Sequence, residues 1–162
     1  MATSPVSYIE KNRIRNESLG TPPYDWVVNV EAPPWQPLSK PLSQSRLALV
    51  ATGGVYVRGQ VAFHYRDDTS YRIIPTEVAM ADLRATHFAY PLAAAQRDPN
   101  VVFPIAPLRQ LVQDGVIGQL SPRAYTFMGG IYSARRVREE LMPHLTAHLL
   151  EDNVDAALFV PV

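Results

Sequence analysis

The stretch Arg46–Tyr56, RLALVATGGVY, decides the fold. Leu47–Ala51 is continuously apolar, and Thr52-Gly53-Gly54 follows at once. A short apolar run that stops at a glycine pair reads as a strand buried on both faces, with a tight turn at its carboxyl end. A second run of the same kind, Ala156–Val160, leads into Pro161-Val162. Ligands gather at the carboxyl ends of strands in an open parallel sheet. The expectation is therefore that function sits between these two strand ends.

Between the two runs the chain alternates strand and helix signals. Val57–Thr69 is polar, with Gly59 and an Asp67-Asp68 turn, and Ser70–Pro75 is a short extended segment closed by proline. Asp82–Tyr90, DLRATHFAY, alternates loosely and reads as a strand running into a loop at His87. Pro104–Asp114 predicts a helix with Pro107 in its first turn, Leu108, Leu111 and Val112 on one face, and Gly115 at its end. Pro122–Ile131 reads as a strand with a Gly129-Gly130 turn. Ser133 then caps a helix through Glu151 whose apolar face is Val137, Leu141, Leu145 and Leu149. Pro143 interrupts it and predicts a kink or a fresh start. Asn153-Val154-Asp155 turns the chain into the last strand. This pattern predicts an α/β fold: a mostly parallel, open sheet with helices on both faces and right-handed crossovers, Rossmann/flavodoxin-like.

Ahead of this domain, residues 1–45 read as a short helix over Ser7–Leu19, capped by Ser4 or Ser7 and ended by Gly20, and then a proline-rich arm. Six of the fifteen prolines fall in Thr21–Leu42, where a helix cannot persist. The arm is expected to wrap extended over the α/β domain of residues 46–162, pinned by Tyr24, Trp26 and Trp35; a ligand for a proline-recognition module is the alternative. Val154–Val162 is the most apolar stretch of the chain, yet no loop and covering helix follow it. That suggests the amino-terminal half of a larger domain, or a chain whose missing helix comes from a partner, or an edge strand that simply ends.

The 162 residues carry fifteen Lys+Arg against fifteen Asp+Glu and are 47% apolar. A chain this long buries roughly 70% of its unfolded surface, and without a positive field nucleic acid and anionic membrane are not expected as partners. No run approaches the roughly 20 apolar residues of a membrane span, and Met1–Arg13 has no signal-peptide core, so the cytoplasm is the expected location. There is no cysteine. Disulfides, cysteine-based zinc sites and a thiol nucleophile are thereby excluded within these residues. His144 and His148 have metal-ligand spacing on a helix, but no acidic or cysteine ligand completes a set, and His64 stands alone; no metal is expected.

Five segments, LALVATGGVY, DDTSYRIIP, LRATHFAY, DPNVVFPIAPLRQLVQDGVIG and AYTFMGGI, in this order resemble the selenoprotein B family of glycine, betaine, sarcosine and D-proline reductase subunits. The resemblance covers nearly the whole chain. It implies a selenocysteine, or a cysteine in some relatives, in a loop directly after a strand like ALFVPV, at the point where this chain stops after Val162. Selenocysteine is encoded by a codon normally read as stop, so the resemblance implies a chain cut just before its nucleophile and inactive alone. It also implies reductive cleavage of a C–N bond of an amino acid or related amine, with a dithiol/disulfide acceptor. Implied partners are a pyruvoyl-bearing subunit that captures the amine and a thiol or thioredoxin-like reductant, in an oligomer.

The candidate residues each carry two readings. Thr52, Gly53 and Gly54 present backbone amides to a carboxylate or selenolate, or simply form a tight turn; their spacing is not that of a dinucleotide fingerprint. Ser70, Tyr71 and Arg72 match a family segment in which the arginine grips a substrate carboxylate; the alternative is an ion pair with Asp67 or Asp68. His87, which matches a family histidine, is the candidate acid for the leaving amine or partner of the chalcogen, or else a core-satisfied histidine. The acidic residue that the family carries shortly after it is replaced here by Pro91 and Leu92. Tyr125 and Gly129 match the family segment before the last helix as substrate-binding candidates, and with Met128 read equally as core and turn. Two other functions stay open: a non-catalytic subunit that completes its sheet with a partner chain, and a small-anion or nucleotide-binding module using the Gly53-Gly54 turn.

Overall fold

The computed structural model describes residues 7–22 and 27–162, so the expectations for Ser4, Tyr24 and Trp26 lie outside the described residues. The chain divides into two units, residues 1–35 and 36–162. In the first, helix α1 spans Tyr8–Ser18. Arg13 bridges Glu10 and Glu17 at 2.5 and 2.6 Å, one turn to either side. Ser7 stands at the N-cap position, but its side chain makes no capping hydrogen bond. The helix ends at Gly20, whose φ of +66° is the left-handed conformation that terminates helices. Residues 27–35 form neither helix nor strand.

The second unit is built on strand β1, Arg46–Ala51. Every residue from Leu47 to Ala51 is buried, because each of its faces is covered by a helix. On one face, Leu47, Leu49 and Ala51 pack with Ile105 and Leu108 of helix α3, Ile105–Gln113. On the other, Val50 packs with Tyr125, Leu141 and Leu145, the last from helix α5, Met142–Glu151. Burying one side chain such as Leu49 contributes about 1.5–3 kcal/mol. Between the faces, β1 is paired along both edges. Strand β7, Ala156–Val160, runs parallel to it from Leu47↔Ala156 to Ala51↔Val160. The opposite edge takes two short parallel strands in succession, β5 (Gln119–Leu120) and β6 (Arg123–Phe127). Pro122 between them has no N–H for the ladder. Strand β3, Tyr71–Pro75, closes that side antiparallel to β6.

Three elements differ from the sequence-based expectation. The strand expected to run from Asp82 into a loop at His87 is β4, Leu83–Ala85, but it lies outside the main sheet, antiparallel to β2, Val55–Val57. Past Ala85, Thr86 N–H donates to Gly54 O at 3.0 Å and extends this pairing to the glycine turn. A short helix α2, Ala93–Arg97, which the sequence did not announce, follows. The last helix starts as expected behind Ser133, whose side chain accepts from Arg136 N–H, but it is segmented: α4 (Ala134–Arg136), a π-helical turn over Val137–Leu141, then α5. Pro143 falls in the first turn of α5, where a missing N–H costs least. Asn153, at φ +53°, ends α5 and reverses the chain into β7.

Candidate functional site at the strand tips

The parallel pairing of β1 with β7 sets their carboxyl ends side by side. Thr52 N–H donates to Val160 O at 3.0 Å, and Val162 N–H donates to the Thr52 hydroxyl at 2.8 Å. The tip of β6 joins them: Gly129 N–H donates to Thr52 O at 2.9 Å and Gly54 N–H to Phe127 O at 3.1 Å. The result is a floor made of main chain from three strand ends, with these N–H groups spent inside it. Glycine is required there by space. A Cβ on Gly53 would stand 2.7 Å from Val102 Cβ, and one on Gly129 would stand 3.0 Å from Thr52 Oγ1 and 3.4 Å from Val162 O. At Gly54, φ is +64° and a Cβ would run into Thr86 O.

Residues Thr86–Tyr90 cross this floor. Thr86 is bonded to Gly54 O, the Tyr90 hydroxyl donates to Gly53 O at 2.7 Å, and a Cβ on Gly130 would collide with the Phe88 ring. His87 is 7% exposed and sits between aromatic neighbours, its ring 5.6 Å from Phe88 and 4.7 Å from Tyr90. Ala89 N–H donates to His87 Nδ1 at 3.0 Å. That bond places the proton of the neutral ring on Nε2. His87 Nε2 is buried and has no hydrogen-bond partner. Burial pushes the His87 pKa down, so the ring is a neutral donor near pH 7.

The structure thus brings together Thr52, Gly53, Gly54, Gly129 and His87. It places the other candidates in two further groups of contacts. Arg72 donates to the carbonyls of Val61 (2.7 Å), Tyr71 (2.9 Å) and Ala62 (3.4 Å), and to Ser70 Oγ (3.0 Å). Its guanidinium also lies 4.3 Å above the Phe63 ring, tying residues 61–63 to β3. Ser70 is turned toward Asp68, to which both its N–H and its hydroxyl donate.

Tyr71 and Tyr125 belong to a network over β6 and α5. The buried Asp152 carboxylate accepts from Ser121 Oγ (2.8 Å), Tyr125 OH (2.8 Å) and Arg123 (2.7 Å). His148 stacks on Tyr125 and meets Tyr71 OH at 2.9 Å. Burial alone would raise the Asp152 pKa; the bonds from Arg123, Tyr125 and Ser121 outweigh it and hold the pKa at about 2. Burial, with Asp152 beside it, pushes the Tyr125 hydroxyl up. Met128 is fully buried.

Sequence reasoning passed over Tyr90 and Phe88 as members of the tip cluster. The available signal was the density of aromatics around one histidine in HFAY.

Over residues 26–161 the chain matches the family model of the glycine/sarcosine/betaine reductase selenoprotein B. It is 35% identical over 132 residues to the D-proline reductase subunit gamma of Acetoanaerobium sticklandii, a match covering 81% of this chain and 54% of that protein. It is 29% identical over 115 residues to the sarcosine reductase complex component B subunit beta of Peptoclostridium acidaminophilum, covering 68% of this chain and 26% of that protein. The match thus spans about half the length of the first relative and about a quarter of the second. No solved structure matches. With the family profile running from the arm through the last strand, this chain belongs to the glycine/sarcosine/betaine reductase selenoprotein B family.

Proposed function

We propose that the chain forms the amino-terminal part of a selenocysteine- or cysteine-dependent reductase, and that the crevice at the tips of β1, β6 and β7 binds a small amine bearing a carboxylate. The chain has no cysteine, so the attacking chalcogen comes from outside these 162 residues. When present, a selenolate or thiolate would displace the amine from the carbon α to the carboxylate and form a carbon–chalcogen bond. One thiol of a dithiol would then attack the chalcogen, and the carboxylate fragment would leave and take up a proton. The second thiol would reduce the resulting chalcogen–sulfur bond to restore the nucleophile. The residues here fit that task. The floor is main chain, too close-packed for any side chain at Gly53 or Gly54, and its Thr52, Gly54 and Gly129 N–H groups already donate to carbonyls. It therefore serves as a rigid base beside the substrate and not, as the sequence suggested, as a set of amides presented to an anion. His87 brings the donor: its Nε2–H is unspent, it is neutral near pH 7, and Gly54 lies against the edge of its ring. It is assigned to the departing nitrogen or to the chalcogen.

The single observation that carries this reading is the bond from Val162 N–H to Thr52 Oγ1, which joins the two strand tips beside the glycine floor. A pyruvoyl-bearing subunit and a thiol or thioredoxin-like reductant are its proposed partners, within a cytoplasmic oligomer. The test is a titration of the isotopically labelled chain with glycine, sarcosine, betaine and D-proline. One of these is expected to move the Gly53, Gly54 and His87 signals in a saturable way; silence at all three positions for all four probes overturns the reading.

The outer edge of β7 favours a second, compatible role, completion of the sheet by a partner chain. Leu158 and Phe159 are 38% and 53% exposed, and among the described residues only β1 pairs with β7.

A further inference from the structure

We propose that Tyr90 is a positioning residue of the strand-tip site, fixing both the Gly53-Gly54 peptide and the His87 ring through a single side chain. The inference deepens the reading above and rests on it for the identity of the site. Its basis is geometric. The Tyr90 hydroxyl donates to Gly53 O at 2.7 Å, while its ring lies 4.7 Å from that of His87 and packs partly buried against the main core. A tyrosine anchored at its ring and bonded at its tip has little rotamer freedom left, so both neighbours are held to one geometry.

The consequence runs through the peptide plane. With Gly53 O held by Tyr90 and Gly54 N–H held by Phe127 O, the peptide joining the two glycines is clamped at both ends. Glycines at this turn have the conformational freedom to flip that plane, and a flip would break the Gly54–Phe127 bond that joins the tips of β1 and β6. His87 is located from the other direction. Ala89 N–H fixes its Nδ1, and the Tyr90 and Phe88 rings flank it, so its unpartnered Nε2 is aimed by packing. Tyr90 itself touches no substrate in this scheme; it acts through Gly53 and His87.

Tyr90→Phe keeps the ring and removes only the hydroxyl. In that variant the Gly53 carbonyl-carbon resonance is expected to shift, the Gly54 amide to exchange several-fold faster, and the His87 ring signals to move, with the chain still folded. For a probe that binds the unsubstituted chain, affinity is expected to fall roughly three- to tenfold, the equivalent of one neutral hydrogen bond. Unchanged Gly53 and Gly54 signals overturn the inference. So does a lower melting temperature with the His87 and Gly53 signals unmoved, since Tyr90 would then be packing alone. In the unsubstituted chain, a slowly exchanging Tyr90 hydroxyl proton close to Gly54 is expected, and its absence overturns the inference even if the variant does not fold. Failure of every carboxylate probe to bind removes the functional reading above, while the Gly53 and His87 resonances still decide the role of Tyr90.

Discussion

At the scale of single residues, His87 holds the most consequential position, because a buried imidazole with one unspent N–H is costly unless something uses it. Burial lowers its folded pKa below the 6.5 of a free side chain. The unfolded chain therefore takes up the proton first as pH falls. The stability contributed by neutral His87 is complete above about pH 6.5 and is lost as pH drops through the folded value. A proton NMR titration of His87 should show a midpoint below 6.5, and His87→Gln should remove that part of the pH dependence of unfolding. A midpoint at or above 6.5 contradicts the burial argument. His87 was legible in the sequence as a candidate because it follows a strand and matches a histidine of the family it resembles. Its partners were not. Gly53 and Gly54 are more than thirty residues away in the chain, and only the fold reveals that Thr86 and Tyr90 close on them. Arg72 makes the complementary case. An arginine beside two aspartates reads as a charge partner, whereas its donors go to carbonyls that no local pattern announces.

Among elements, the junction of α5 with β6 concentrates the polar energetics. Asp152 follows the last turn of α5 and receives three side chains from the neighbourhood of β6: Ser121, Arg123 and Tyr125. Arg46 at the start of β1 donates to its carbonyl. Because the folded carboxyl titrates at about 2, its contribution is full above the ordinary carboxylate value near 3.9 and is lost as pH falls toward 2. Asp152→Asn should lower stability by about 2 kcal/mol through the lost charge-assisted bonds. It should also flatten the acid limb of the stability profile between about pH 4 and 2, measured by denaturant unfolding at stepped pH. The sequence announced strands β1 and β7 clearly, since a compact apolar run bounded by turn residues has few other solutions. It announced a strand running into a loop at His87, but not that this strand, Leu83–Ala85, pairs with β2 outside the main sheet. Pairing, which is nonlocal, decided that.

For the molecule as a whole, the sheet is asymmetric. Among the described residues, one side ends in the antiparallel β3 and the other in β7, which pairs with β1 along one edge and has Leu158 and Phe159 exposed. An exposed apolar edge strand templates association. The isolated chain should therefore self-associate with rising concentration in sedimentation velocity, and Phe159→Lys should shift it toward monomer without altering its fold. A concentration-independent monomer before substitution would show that the edge is inert. The mostly parallel layering was readable from alternating strand and helix signals. The side-by-side seating of the strand tips depended on register, which no stretch of sequence encodes alone.

The glycine contacts at the tips also bear on how such a site can change. At Gly54 and Gly130 the room for a β-carbon is already occupied by the segment passing overhead, so mutation there would evict that segment rather than reshape a pocket. Variation in ligand preference is left to the crossing side chains, Phe88 above all, which is 44% exposed. A mutational library aimed at altered selectivity would find its productive positions in that crossing segment, with the glycines beneath it recovered unchanged among the folded survivors.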